Sequence, residues 1–329
     1  MLMLKLFQRN KIIFYFCLIT SLSQAKTITL CLGEYKNYPY QKIKNYKTLY
    51  PGKITVKKYK GKYLILNRMD MEKYLCGVLS KEMDSNWPFE ALKAQAVVSR
   101  TYLLWKGEEN RKNGLPYDIK NSIYHQSYGI CKSQKIANAV NETKGEILIF
   151  NGKVAKVFFH ACCGGKTTLP VFVWGGNYSG IDAVNDPYCE DSPYSNWEKK
   201  FSSDYLSKIF GMDNIKDIEI IKRDPSGRVE WLKLKDEKGK TLKLTGYKMR
   251  LVINEKTGKV NFKNPKILPS TLFNVKKEGI YFIFKGRGYG HGIGLCQWGA
   301  RRMAEKGKNY KEILHFFFPE MTILEKEER

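Results

Sequence analysis

MEKYLCGVLSKEMDSNWPFEALKAQAVVSRTYLLW, Met71 to Trp105, reads as two helices that meet at a short corner. The first is expected over Met71 to Lys81, with Leu75, Val78 and Leu79 at helical spacing. Pro88 suits the first turn of the second helix, where a missing N–H leaves nothing unpaired. Ala91, Ala94 and Ala96 give that helix a face that another element can approach closely. Glu82 falls at the corner, between Trp87 and the tightly packed helix. A carboxyl among apolar and aromatic groups has a raised pKa, as a proton donor at neutral pH requires. The competing expectation is a solvated surface glutamate, the usual fate of glutamates at helix ends.

Outward from that corner, the N-terminus addresses compartment. Lys5, Arg9 and Lys11 precede the apolar run IIFYFCLITSL from Ile12 to Leu22, and Ser23-Gln24-Ala25 offers a small-residue cleavage site. This has the form of a signal peptide over residues 1–25, with residues 26–329 as the mature chain. The run is short for a membrane span, so membrane anchoring is expected only if the segment stays uncleaved. The net charge of +25 calls for an anionic partner. Export removes nucleic acid from that list and leaves an envelope polymer, in the periplasm or cell envelope. Hydrophobic residues make up 43% of the 329, enough for a packed core.

Seven cysteines follow the apolar run: Cys31, Cys76, Cys131, Cys162, Cys163, Cys189 and Cys296. An odd number cannot all pair within one chain, and connectivity is not readable from sequence. Cys163 with Cys189 is expected as a disulfide, or as part of a Zn site with His160, the disulfide being favoured in an exported protein. Cys162 or Cys163 with His160 or His291 has the residue types of a cysteine peptidase. No helix N-terminus stands at the Cys-Cys-Gly-Gly turn to lower a thiol pKa, which argues against it.

The expected fold class is α+β: a single large domain with a helical corner, a β-rich second half and long functional loops. Lys26 to Asn67 reads as short strands, and Lys106 to Pro116 as a loop. Ile136 to Thr143 and Ser203 to Phe210 read as helices. Asn151-Gly152 turns a hairpin whose returning strand, Lys153 to His160, enters the cysteine turn. Leu169 to Trp197 lacks periodicity, and Ile218 to Phe284 has a β pattern throughout. Five glycines then alternate from Gly286 to Gly294, around Arg287, Tyr289 and His291. Their spacing fits neither a dinucleotide fingerprint nor a phosphate loop; it lets backbone approach a ligand or a neighbouring strand closely. Gln297 to Lys306 and Tyr310 to Phe318 read as closing helices, the second ended by Pro319.

Taken together, Leu75 to Met83, Trp87-Pro88, Glu90 to Tyr102, Gln126-Ser-Tyr128, Cys163-Gly-Gly-Lys-Thr167, Trp174-Gly-Gly176 and Asp186-Pro-Tyr-Cys189 form an ordered series of motifs. Ser226-Gly-Arg228, Thr245-Gly246 with Arg250, Ser270 to Phe273, Gly286 to Gly294, Gln297 to Ala300 and Ile313 to Phe316 complete it. In this order, over about residues 50–320, they resemble the SpoIID/LytB family of bacterial cell-wall proteins. The resemblance implies a lytic transglycosylase, a carbon–oxygen lyase acting on peptidoglycan glycan strands stripped of stem peptides. It implies Glu82 as the catalytic acid. Other members are amidase enhancers, so the alternative is a glycan-binding protein that recruits or stimulates a cell-wall amidase. Some members hold Zn through Cys and His in the segment matching Tyr117 to Tyr128; this chain has His125 there and no cysteine before Cys131. No cofactor is otherwise expected. The candidate metal ligands are therefore His125, His160, Cys163 and Cys189.

The chemistry needs one carboxyl group. The acid protonates the glycosidic oxygen and then takes the proton of the muramoyl 6-hydroxyl, which closes a 1,6-anhydro ring. Hydrolases instead use two carboxylates, a role open to Asp84. Glu90, at the third position of the second helix, is expected as a cap. The candidate substrate-binding residues are Gln95, Arg100, Tyr102, Gln126, Tyr128, Arg287, Tyr289, His291 and Gln297; for Arg100 a surface ion pair is the alternative.

Overall fold

The computed structural model describes residues 27–122, 125–176, 178–256, 264 and 266–325. The expected signal segment lies outside them. In chain order the elements are β1 (Thr27–Tyr35), α1 (Tyr40–Leu49), β2 (Lys53–Tyr59), β3 (Lys62–Asp70), α2 (Met71–Glu82), α3 (Phe89–Lys112), β4 (Ile119–Lys120), α4 (Gln134–Glu142), β5 (Ile147–Phe150) and β6 (Lys153–Val154). There follow β7 (Phe159–His160), α5 (Pro170–Trp174), β8 (Trp197–Ser202), α6 (Ser203–Phe210), β9 (Ile215–Arg223), β10 (Val229–Asp236), β11 (Thr241–Thr245) and α7 (Gly246–Lys256). The chain closes with β12 (Phe273–Glu278), β13 (Tyr281–Gly286), β14 (Leu295–Cys296), α8 (Gln297–Glu305), α9 (Tyr310–Phe317) and β15 (Thr322–Leu324). The class is α+β. The described residues fall into two compact units, one within residues 27–157 with 307–315 and 320–325, the other within residues 158–306 with 316–319.

In the first unit, β2, β3, β1 and β4 make a sheet in that order, with β4 parallel to β1 and the others antiparallel. β3 runs directly into α2, whose start is capped by Asp70: its carboxylate accepts the Lys73 N–H at 3.0 Å. Seven residues of α2 are buried, from Met71 and Tyr74 through Leu79. A helix covered on most sides is held by packing rather than by one amphipathic stripe. α3 is longer than expected, running through the segment read as a loop to Lys112, and buries Ala91, Ala94 and Ala96 completely. Glu90 does not cap it. Its Oε2 accepts the Tyr310 N–H at 2.8 Å, while Lys93 lies 3.2 Å from Oε1. The Asn151-Gly152 turn is present with both residues at positive φ, but its returning strand stops at Val154.

In the second unit, β11–β10–β9 and β12–β13–β8 are three-stranded antiparallel sheets. Leu232, Leu234, Phe282 and Phe284 from these strands share a core with Leu206 of α6 and with Met249 and Ile253 of α7. α7 interrupts the expected β pattern. Met249 and Ile253 are one helical turn apart and fully buried, so burial of that stripe decides the local structure. α1 likewise replaces an expected strand; it buries none of its residues. Among the described residues no helix is long and apolar enough to cross a membrane.

Candidate active site

Glu82 is the last residue of α2, and an extended strap, Gln126 to Cys131, is laid along that helix. Five kinds of contact fasten the strap. The Gln126 side-chain oxygen accepts from the Tyr74 hydroxyl at 3.1 Å. The Ser127 N–H donates to Glu82 Oε1 at 2.8 Å. Tyr128 stacks on Tyr74, with ring centroids 5.4 Å apart. The Gly129 N–H donates to the Gly77 carbonyl at 3.2 Å, and Cys131 is disulfide-bonded to Cys76. Gly77 is required here: a Cβ at that position would lie 2.3 Å from both the Gly129 oxygen and the Tyr128 ring. The strap thus covers α2 at backbone contact distance.

This cover determines the acid's chemistry. Glu82 is half-buried beside the strap; desolvation raises its pKa, while hydrogen bonds from the Ser127 N–H and side chain pull the other way. Burial is the larger effect, because the ionised form loses more solvation than those donors return. Asp84 is exposed and accepts the Asn86 N–H at 2.9 Å in a local turn.

Several residues expected to hold sugar turn out to hold the protein. Arg100 is fully buried and grips Glu72 through two hydrogen bonds of 3.1 and 2.6 Å. It also donates to the carbonyls of Glu146 at 3.0 Å and Val140 at 3.1 Å. These bonds fix α2 to α3, to α4 and to the turn after it; the ion pair with Glu72 is made by a buried arginine and not at the surface. Gln95 is fully buried and donates to Ser99 Oγ at 3.0 Å. Gln126 is fully buried between Tyr74 and the Ser99 carbonyl. These two amides position the corner from inside the protein. The Tyr102 hydroxyl lies 3.2 Å from His125 Nδ1. Tyr128 is buried on Tyr74 with Tyr50 on its other side at 5.5 Å.

The family's metal does not fit this segment. His125 is engaged with Tyr102, and its pKa is pushed down to about 4 by burial and then by Lys106 and Lys120. Cys131 is consumed by the disulfide. One histidine alone does not make a zinc site.

Arg287, Tyr289, His291 and Gln297 lie in the second unit. Arg287 is exposed. Tyr289 exchanges backbone hydrogen bonds with Cys162 and packs its ring on Tyr194, centroids 4.9 Å apart. His291 sits 5.1 Å from Trp174 and 5.5 Å from His160, ring centroid to ring centroid, and burial holds its pKa well below the usual value. Gln297 is buried at the start of α8. The alternating glycines serve close packing: a Cβ on Gly292 would lie 2.4 Å from Arg228. Cys163 and Cys189 are adjacent but unbonded, sulfurs 3.4 Å apart, and the expected disulfide is absent. His160 is not part of the sulfur cluster among the described residues; its Nδ1 faces the Ile293 carbonyl at 3.1 Å.

The family model for stage II sporulation protein matches residues 59–150, the span that holds the strap and its helix. A domain of unknown function (DUF8618) matches residues 195–294. An uncharacterized protein of Brachyspira hyodysenteriae is 32% identical over 283 residues, covering 84% of this chain and 72% of that protein. The chain belongs to the SpoIID/LytB family. Stage II sporulation protein D of Bacillus subtilis is 27% identical over 299 residues, covering 86% of this chain and 82% of the relative. The amidase enhancer of Bacillus subtilis is 26% identical over 299 residues, covering 76% of this chain and 40% of its own length. A general role at the cell wall goes with SpoIID/LytB membership.

Proposed function

We propose that this chain is an exported lytic transglycosylase of peptidoglycan, with Glu82 as its single acid and base. One observation carries the reading: a half-buried carboxyl at the end of α2, held by the Ser127 N–H of the strap, with its pKa raised by desolvation. A protonated carboxyl donates to the glycosidic oxygen between N-acetylmuramic acid and N-acetylglucosamine. The carboxylate so formed recovers a proton from the muramoyl 6-hydroxyl as that oxygen attacks the anomeric carbon. Proton count is conserved, water is not consumed, and no second carboxylate is called for. The Ser127 N–H suits both states of the cycle, since it supports the carboxylate without removing the need to reprotonate. A net charge of +25 favours an anionic wall polymer as partner.

The second reading is a glycan-binding protein that recruits or stimulates an amidase, supported by the relative named amidase enhancer. One experiment separates them. Sacculi stripped of stem peptides by an amidase are incubated with the purified chain, and products are read by mass spectrometry. Release of 1,6-anhydromuramic ends by the wild type, and none by Glu82→Gln, is the expected result. Binding of the strands with no anhydro ends from the wild type selects the second reading. Reducing, non-anhydro ends select a hydrolase.

A further inference from the structure

The second unit contains a knot of sulfur that the proposed chemistry does not use. Parallel pairing of β7 with β14 sets His160 against Cys296, and the next turn of chain brings Cys163 over it. The Asp186 N–H donates to the Gly165 carbonyl at 2.9 Å, which delivers the turn Asp186–Cys189 to the same place. The result is Cys163, Asp186, Cys189 and Cys296, all buried, with their ligand atoms within 4.8 Å of one another.

We propose that these four side chains bind one zinc ion, which ties the Cys163–Gly165 turn, the Asp186–Cys189 turn and the start of α8 together. The donor set, three thiolates and one carboxylate, is one that zinc takes in closed tetrahedral sites. The spacing agrees. A tetrahedron with metal–sulfur bonds of about 2.3 Å has ligand–ligand edges of roughly 3.6 to 3.8 Å. Here Cys163 Sγ lies 3.4 Å from Cys189 Sγ and 3.1 Å from Asp186 Oδ2.

Backbone donors face two of the three sulfurs. Cys163 Sγ accepts the Gly165 N–H at 3.4 Å, where Gly165 has φ of 110°. Cys296 Sγ accepts two N–H groups, from Cys163 at 3.3 Å and Gly299 at 3.4 Å, the second at the N-terminal turn of α8. Backbone donors aimed at sulfur stabilise negative charge there. Asp186 is oriented by the Tyr188 N–H on its other oxygen at 3.0 Å. Gly299 leaves room for that carboxylate, since a Cβ would lie 2.4 Å from Oδ2. Arg228, fully buried, donates to the Cys163 and Lys166 carbonyls and brings a positive charge beside a site that would carry net negative charge. Binding displaces the thiol protons to solvent.

A disulfide between Cys163 and Cys189 is the competing arrangement. It would use two of the four side chains and leave the Asp186 carboxylate buried with, among the described residues, no cation beside it but Arg228. Cys162 is not one of the four; its Sγ faces the Cys189 carbonyl at 3.9 Å.

The test uses the full chain. Elemental analysis of the purified protein, and of reduced apoprotein reconstituted with zinc, is expected to give about one equivalent per chain. Cobalt substitution is expected to give thiolate-to-cobalt charge transfer with the ligand-field bands of a tetrahedral ion. Asp186→Asn, which keeps all three sulfurs, is expected to lower zinc affinity by more than the about 10- to 100-fold that loss of an outer-shell partner causes, read by competition with a chelating dye. Cys31→Ser, in the first unit, removes a thiol and leaves zinc content unchanged. Reconstituted wild type that holds no zinc overturns the proposal, as does a Cys163–Cys189 disulfide in non-reducing peptide maps. Full zinc retention by both Cys163→Ser and Cys296→Ser overturns it as well.

Discussion

Two places in this molecule use cysteine to hold an extended segment, and they do it differently. On α2, Cys76 and Cys131 close a covalent bond across 55 residues and clamp the strap over Glu82. Around Cys163, three sulfurs and a carboxylate converge from four separated positions without any sulfur–sulfur bond. A disulfide joins two points and acts mainly on the unfolded chain. A four-ligand cluster joins three segments and needs something at its centre. Pairing two cysteines thus suits a site whose purpose is to cover one carboxyl, while convergence of four donors suits a site whose purpose is to fix a backbone.

The strap's purpose is the first thing to attack. Glu82→Gln keeps the shape and removes the proton. Anhydro-end formation on stripped sacculi is expected to fall by about 10² to 10⁴-fold, the range that acid–base catalysis supplies. Retention of glycan pelleting by the variant is expected alongside. Wild-type rates in that variant would move the chemistry elsewhere and leave the strap as a structural device only.

Arg100 tests whether the clamped helix depends on its buried ion pair. Arg100→Met strands Glu72 and frees the carbonyls of Val140 and Glu146. Loss of one member of a buried pair is destabilising by about 3 to 5 kcal/mol. A thermal midpoint lower by roughly 10 °C is expected for a chain of this size. A shift within a degree or two would mean that the buried pair adds little to the stability of the clamped helix.

Next comes a crossed treatment of the two cysteine sites. Cys76→Ser, or reductant on the wild type, is expected to lower stability by about 2 to 4 kcal/mol, seen in thermal or urea unfolding. A strong chelator is expected to leave the strap alone and destabilise the second unit. If reductant and chelator act on the same transition to the same extent, the two sites are not independent devices.

How much of this was legible beforehand depends on the distance over which each decision is made. α2, α3 and Glu82 at their corner could be read because helical spacing, Trp87 and Pro88 are local signals. α1 left no trace because it buries nothing, so no apolar stripe marks it. α7 hid behind Leu251-Val252-Ile253, a β-like run that burial of Met249 and Ile253 overrides. The strap could not be read, since Ser127 meets Glu82 across 45 residues and neither side chain announces the other. Arg100 lies in the motif block Glu90 to Tyr102, which invites a role at the substrate; its structural role is visible only in its full burial and in four hydrogen bonds to three residues. Cys163 and Cys189 were expected to meet, and they do, but Cys296 joins them from more than a hundred residues away through the pairing of β7 with β14.

The smallest expected effect lies in the pH dependence of stability, and it tests the strap directly. Glu82 has a pKa raised in the folded protein, so between its unfolded value and its folded value the native state binds the extra proton. Stability from this group is fully present below the unfolded value of about 4.3. It is lost as pH rises through the folded one. Glu82→Gln never ionises and escapes that loss. The variant is therefore expected to match the wild type near pH 4 and to melt higher at pH 7. His125 titrates over part of the same range with the opposite sign, since a depressed histidine loses stability as pH falls from its unfolded value towards about 4. Because His125 is common to both proteins, the difference between them isolates Glu82. A gap that stays constant with pH would mean that the carboxyl is solvated, and that the strap does not seal it.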